Sequence, residues 1–508
     1  MAQSRTKNVL KNASISIICQ ISTLLISFIS RTVFIHTLGV EYLGVNGLFS
    51  NILTVLSFAE LGIGSAITYS LYKPLALNDN KKIASLMLLY KRAYTTLGLV
   101  VIGAGLLVVP FLQLIIKSPP DIPENIILLY ILFLLDTGIS YFLVYKKSLL
   151  IADQKYYIVL TIDQVIKIIH FGVNVVILYT TKCFILYLIL NILFTVCSNQ
   201  IASVIANRRY PFLKEPAEEL DKKEREQIFR NVKSLAVYKF GSVLVYGTDN
   251  ILISVLVGVT QVGLVSNYSL ITTACNTLLG KVEEAFMASV GNLNAVSNNE
   301  KKYYVFQKML FITFWIYGFA ACGLALLLND FITLWLGQKY CLSTVVVIAF
   351  CLELYVSGMQ NPAYIFRTTH GLFKQGQFSA VIASVLNISL SIILFKMLGL
   401  CGIFFATSIS TFLSYGIVDP VLVFKKAFNK NVWGYYKNYF CYGTIVVLLY
   451  IVLSWVLRFI TLHGLYGFLT KFVIVCVVFN IAVLLLFCKT KVFKELLFHL
   501  KTTMGRKV

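Results

Sequence analysis

Apolar residues run through this chain in fourteen long blocks, at about 13–37, 44–72, 88–116, 125–145, 157–180, 183–206, 234–257, 261–287, 305–329, 342–366, 377–397, 400–424, 436–457 and 466–488, with short polar gaps between them. A helix crosses about 30 Å of hydrocarbon with about 20 apolar residues. The block lengths therefore predict an all-α polytopic membrane protein of about 14 transmembrane helices. The first block is too long for a signal-peptide core and has no small-residue cleavage site, so it reads as a retained first helix.

Polar residues inside the blocks fall on helix faces. Block one carries Ser16, Gln20, Thr23, Ser27 and Arg31, spaced three or four apart. Block two carries Asn46, Ser50, Thr54, Ser57 and Glu60 in a comparable stripe. Block five aligns Asp163, Lys167 and His170, and Asp163 and Lys167 have the i, i+4 spacing that permits an ion pair. Block seven aligns Lys239, Ser242, Tyr246 and Asp249. Block eight offers Ser269, Thr273 and Asn276, then Lys281, Glu283 and Glu284 near its cytoplasmic end, where water reaches them. Ser and Thr stripes also serve close helix packing, and Asp163 with Lys167 also suits a purely structural pair.

Ionisable groups in a bilayer are costly and are expected to face a cavity or a partner. Arg31 and Lys239 stand on the first helix of each half of the chain, beside polar stripes. Two cations lining a central space suit an anion such as a diphosphate or an acidic sugar. The candidate substrate-binding residues are Arg31, Lys239, Lys167, His170, Gln20 and Tyr246. The carboxyls placed for ion coupling are Glu60, Asp136, Asp163, Asp249 and Glu353, each of which also suits a structural role.

Charge orients the helices. The 508 residues are 58% hydrophobic and 13% charged, with 44 Lys and Arg against 22 Asp and Glu. Mean hydropathy is +0.81. With the N-terminus in the cytoplasm, 31 basic residues fall in cytoplasmic segments, Lys146, Lys147 and Arg367 among them. Only Lys117, Lys182, Lys339 and Arg458 fall in external loops, and 9 lie within or beside blocks. This is the positive-inside pattern, and a miscount of one helix would scramble it. Both termini are expected in the cytoplasm. The net charge of +22 has no basic folded domain to hold nucleic acid, so anionic membrane lipid is its expected partner. The 11 cysteines form no CxxC, the 5 histidines no HExxH, and GxxxxGK[ST] is absent; neither a metal nor a cofactor is expected.

The longest polar segment, 207–233, divides the chain after block six into a lobe at 1–206 and a second at 234–424, with two further helices and a basic tail at 425–508. Prolines 211 and 216 open it, and its charged remainder suits a short amphipathic helix. The two sides look related. Leu38-Gly39-Val40-Glu41-Tyr42-Leu43-Gly44 joins blocks one and two, and Val257-Gly258-Val259-Thr260-Gln261-Val262-Gly263 joins blocks seven and eight. A third glycine hairpin, Leu398-Gly399-Leu400-Cys401-Gly402, joins blocks eleven and twelve. Two six-helix, pseudo-symmetric lobes around a central cavity are the expected arrangement.

Ser30-Arg31-Thr32-Val33-Phe34-Ile35, followed by the stretch 38–76 (LGVEYLGVNGLFSNILTVLSFAELGIGSAITYSLYKPLA), resembles the opening of bacterial capsule and O-antigen polysaccharide flippases. These form the polysaccharide-transporter branch of the multidrug/oligosaccharidyl-lipid/polysaccharide exporter superfamily. Phe331-Ile332-Thr333-Leu334-Trp335-Leu336-Gly337, expected in the external loop after span nine, is similar to a second, shorter signature. The resemblance implies a bacterial cytoplasmic-membrane flippase without catalysis. Its cargo would be undecaprenyl-diphosphate-linked oligosaccharide, moved to the outer leaflet by alternating access. The resemblance names no driving ion; antiport with H+ or Na+ is expected from the intramembrane carboxyls, and polysaccharide polymerase machinery is an expected partner. Arg31 and Glu60 lie in the matching motif. The other candidates rest on helix faces.

A multidrug exporter of the same superfamily would favour twelve spans and an acidic, aromatic cavity. A lipid II flippase shares the fold and the cationic cavity, and only the opening motif disfavours it. A membrane-embedded polysaccharide polymerase or glycosyltransferase needs a large external loop, whereas the longest here are 117–124 and 330–341.

Overall fold

The structure, a computed structural model, describes residues 2–60, 63–116, 120–226, 228–230, 232, 248–296, 298–372 and 379–495. Thirteen of the apolar blocks lie on helices throughout their described residues or break only at short turns. In chain order these helices are α1 (Ala2–Thr37), α2 (Val40–Leu56), α3 (Ile63–Leu77), α4 (Asn80–Val108), α5 (Leu112–Ile115), α6 (Ile126–Ala152), α7 (Tyr156–Thr181) and α8 (Phe184–Arg209). They continue with α9 (Asp249–Leu256), α10 (Val259–Val296), α11 (Asn299–Trp335), α12 (Thr344–Thr369), α13 (Ser379–Leu398), α14 (Leu400–Val423), α15 (Trp433–Leu457) and α16 (Gly464–Phe487). Most of block seven, with Lys239 and Tyr246, lies outside the described residues, and α9 is its visible end.

Among the described residues ten helices are long and apolar enough to cross a membrane, and an eleventh joins them if the two parts of α6, bent by 45°, form one span. The protein is a multi-pass membrane protein. Polar side chains cap helix starts: Asn125 Oδ1 accepts from the N–H of Ile127 at 2.8 Å, and Asn298 Oδ1 from that of Lys301 at 3.0 Å. The linker contributes a turn at Pro211–Lys214 and a short helical stretch at 222–226.

Several boundaries differ from the expectation. Block two breaks: α2 ends at Leu56, Ser57–Glu60 form a 3-10 turn, and α3 resumes at Ile63. An unbroken apolar run carries no mark of such a turn. Block four runs on to Ala152, so Lys146 and Lys147 stand on a helix and not in a loop. The 331–337 motif is not a loop either. It forms the last turns of α11, and Gly337 (φ +103°) leaves the helix behind Trp335.

Contacts divide the chain into two compact units, Met1–Gly263 and Leu264–Val508. In the first, α6 packs against α4 and α8, α7 packs on α1 and α8, and α3 lies across α4 and α6. The paired hairpins meet here. Gly39 (φ +98°) and Gly258 (φ +139°) take backbone conformations that side chains disfavour. The second glycine of each motif permits contact between backbones. A Cβ on Gly44 would lie 2.1 Å from the carbonyl oxygen of Val259, and one on Gly263 would lie 2.3 Å from that of Val40. Each glycine thus faces the valine of the other motif.

In the second unit α13 and α14 form a hairpin that buries small polar residues. Asn387 Nδ2 donates to Thr407 Oγ1 at 2.8 Å, and Ser384, Ser391, Ser410 and Ser414 are buried around them. The two C-terminal helices, α15 and α16, pack on α11. Phe314 stacks on Tyr442 at 4.3 Å, Trp315 Nε1 donates to Asn480 Oδ1 at 2.8 Å, and Lys471 Nζ pairs with Asp330 Oδ2 at 2.7 Å. An aromatic core of Phe306, Phe366, Phe424, Phe428 and Tyr435 fills the unit's interior.

Candidate functional site

Three helices of the first unit turn polar faces toward one another and line an open cavity of about 510 Å³. On α6 the lining residues Asp136, Ser140, Val144 and Lys147 recur at helical spacing, and on α7 so do Asp163, Lys167 and His170. Tyr187, Asn191, Phe194, Thr195 and Ser198 complete it from α8. Burying such groups in hydrocarbon would be costly, so their convergence is what lets them stand at membrane depth.

Asp163 does not pair with Lys167. Its Oδ1 lies 2.6 Å from Lys147 Nζ on the neighbouring helix and accepts from Ser198 Oγ at 2.6 Å, while Lys147 Nζ also donates to Ser198 Oγ at 3.1 Å. The partner stands 16 residues earlier in the chain on another helix, a relation that spacing along one helix cannot show. Lys167 has no ion pair among the described residues and lines the same cavity. Asp136 interacts with Thr195 and Tyr187. The His170 ring lies tilted against that of Phe194 with centroids 4.6 Å apart, and its Nε2 lies 2.8 Å from Asn174 Nδ2.

Arg31 reaches the same place from α1, where it interacts electrostatically with Tyr187. With Arg31 the cavity surroundings hold three cations against Asp136 and Asp163. Charges of both signs line the cavity, and the cationic excess is one. Chemically, the set presents ammonium and guanidinium groups to an anion and hydroxyl, amide and imidazole groups to a polyhydroxylated ligand.

The remaining candidates stand elsewhere. Gln20 is half-buried on α1 and does not line the cavity; nearby, Gln164 Nε2 on α7 donates to Ser22 Oγ at 2.8 Å and Thr23 Oγ1 donates to Gln164 Oε1 at 3.1 Å. Glu60 accepts from Tyr94 Oη at 3.2 Å. Asp249 opens α9, and Glu353 is half-buried on α12 in the second unit.

Sequence reasoning missed three groups. Lys147 was read as a cytoplasmic loop charge, although its spacing from Asp136 and Ser140 puts it on their face. Arg367, also counted as cytoplasmic, is buried on α12 with its Nη1 3.1 Å from Asp419 Oδ1 on α14, both side chains 1% exposed. Glu283 is not a wet helix end: Tyr317 Oη and Asn361 Nδ2 both donate to its Oε1. Nothing in the local sequence marks either arrangement, because the partners come from separate helices.

A groove of about 620 Å³ in the second unit, between α11, α12 and α15, is lined by Leu352, Val356, Val447, Ile451 and similar side chains. None of its lining residues is charged.

No protein family and no curated protein matches the sequence. Solved structures do match its fold. The lipid II flippase MurJ in an inward closed conformation has a TM-score of 0.62 at 15% identity, covering 94% of this chain and 98% of that one. An inward-facing multidrug resistance MATE family transporter of the MOP superfamily also scores 0.62, at 14% identity, covering 81% of this chain and 96% of that one. A MOP superfamily transporter from Pyrococcus furiosus, described by the reverse polarity of its binding pocket, scores 0.52 at 14% identity, covering 84% and 97%. The chain therefore has the all-helical fold of the MOP superfamily transporters.

Proposed function

We propose that this protein flips undecaprenyl-diphosphate-linked oligosaccharide from the inner to the outer leaflet of the bacterial cytoplasmic membrane. It would do so by alternating access, coupled to H+ or Na+, in the assembly of a capsule or O-antigen-type polysaccharide. Both termini would lie in the cytoplasm, on the side where most of the basic residues collect.

The observation that carries this reading is the polar cavity of the first unit. A diphosphate competes with Asp163 for Lys147 and meets an unpaired Lys167, with Arg31 beside Tyr187. The hydroxyl and amide groups around them suit sugar. A lipophilic drug cation would meet the wrong excess of charge. The overlap with the lipid II flippase, longer than that with the multidrug transporter, also supports a lipid-linked cargo.

The test is movement of a labelled undecaprenyl-diphosphate oligosaccharide in proteoliposomes, with and without an imposed proton or sodium gradient. Gradient-dependent exposure of the sugar at the outer leaflet supports the proposal. Extrusion of a cationic dye without movement of the lipid supports the multidrug alternative. In the same assay Arg31→Ala is expected to cut transport by about 10–100-fold, the loss of a charged hydrogen bond of about 1.5–3 kcal/mol. Arg31→Lys should recover part of it, since an ammonium keeps the charge but not the planar fork. Full transport by the alanine variant, at equal abundance, would remove Arg31 from the site.

A further inference from the structure

One hydrogen bond recurs at matching places in the two units. In the first, Tyr94 on α4 donates to Glu60, at the turn that follows α2. In the second, Tyr317 on α11 donates to Glu283 on α10. Donor and acceptor are 34 residues apart in both cases. Each acceptor stands on the segment that begins with a glycine hairpin, and each donor stands on the next long helix. The helix after that completes both junctions: Tyr141 on α6 hydrogen-bonds with Glu60, and Asn361 on α12 donates to Glu283. Tyr94, Tyr141 and Tyr317 are all buried.

The geometry points to Glu60 and Glu283 as a matched pair of proton-binding residues, one in each unit, through which a proton gradient drives the transport cycle. This rests on the reading of the protein as an ion-coupled transporter and names its coupling sites. An ionised carboxylate holds the tyrosine hydroxyl by a charge-assisted bond about twice as strong as a neutral one. A proton taken from hydronium and added to a carboxylate oxygen turns an acceptor-only group into a donor. The tyrosine bond then weakens, and the junction of three helices is released; the proton returns to water when the carboxylate re-forms.

The titratable groups facing each site fit that role. Around Glu283 they are Tyr317, with Cys275 behind it, while Lys281 on the same helix is exposed. Around Glu60 they are Tyr94 and Tyr141, with Tyr90 stacked on Tyr94 at 4.9 Å.

The experiment uses the full chain in the proteoliposome assay above, with Glu60→Gln, Glu283→Gln, Tyr94→Phe and Tyr317→Phe, each checked for an unaltered thermal midpoint. In the glutamine variants the ratio of transport with a proton gradient to transport without one is expected to fall to unity, and in the phenylalanine variants to fall part of the way. Glutamine variants that keep the wild-type ratio overturn the proposal. A readout without cargo separates it from the transport reading: covalent labelling by a lipophilic carbodiimide, mapped by mass spectrometry across a pH series. Labelling of both glutamates that rises as pH falls supports proton binding even where the wild type moves no lipid. Absence of labelling at both overturns it even where transport is normal.

Discussion

Arg367→Met is expected to destabilise the second unit by about 3–5 kcal/mol, because it strands the buried charge of Asp419. The pair is 3.1 Å apart with both side chains 1% exposed, and neither oxygen of Asp419 accepts a hydrogen bond among the described residues. The guanidinium also lies 5.5 Å from the ring of Tyr364. Two charges this well removed from water gain little net energy from each other, since desolvation offsets most of the attraction. The double variant Arg367→Met, Asp419→Leu should therefore return to near wild-type stability or exceed it. Thermal unfolding in detergent, followed by tryptophan fluorescence, decides the matter. A single variant as stable as the double would show that Asp419 finds another partner or loses its charge at little cost.

Gly44→Ala and Gly263→Ala should each destabilise the first unit by about 1–3 kcal/mol, the usual range for overpacking. The added methyl meets backbone and not a rotatable side chain: Val259 O at 2.1 Å in one case and Val40 O at 2.3 Å in the other. An ordinary carbon–oxygen contact is about 3.3 Å, so the hairpins must part by about 1 Å. Once parted, they accommodate the second methyl at smaller cost. The double variant is thus expected to fall short of the sum of the singles by 0.5 kcal/mol or more, a size of coupling that roughly separates touching from distant sites. Strict additivity of the unfolding midpoints would mean that the two glycines relax independently and that the contact is not shared.

These arrangements show where the pattern of residues informs and where it stops. Length and apolarity locate the helices, since the hydrocarbon thickness leaves little freedom. The glycine motif was visible as a repeat, and the structure supplies its cause: the first glycine turns the chain and the second lets two backbones touch. Helix faces were also legible, so Asp163, Lys167 and His170 do line one cavity. Which face meets which is another matter. A period of 3.6 residues fixes direction about one axis and says nothing about the neighbour, so Asp163 was paired within its helix while its partner stands on α6. Charge misled for a related reason. Lysine and arginine near a helix end look the same whether they end in water, as topology counting assumes, or turn inward as Lys147 and Arg367 do.

The charged linker after α8 is fastened by contacts of a different kind. Arg92 pairs with Glu219 and Lys82 with Glu224, all at least a third exposed. Hydrogen bonding to Arg92 holds the Glu219 carboxyl below its ordinary value, so this fastening persists until the medium is distinctly acid. Dissolved salt is the stronger influence. At physiological ionic strength the screening length is about 8 Å, and it contracts to about 3 Å at molar salt. The linker's attachment to α4 is thus graded by the electrolyte around it, tight in dilute buffer and slack in concentrated brine, while the buried packing of α4 against α6 does not depend on it.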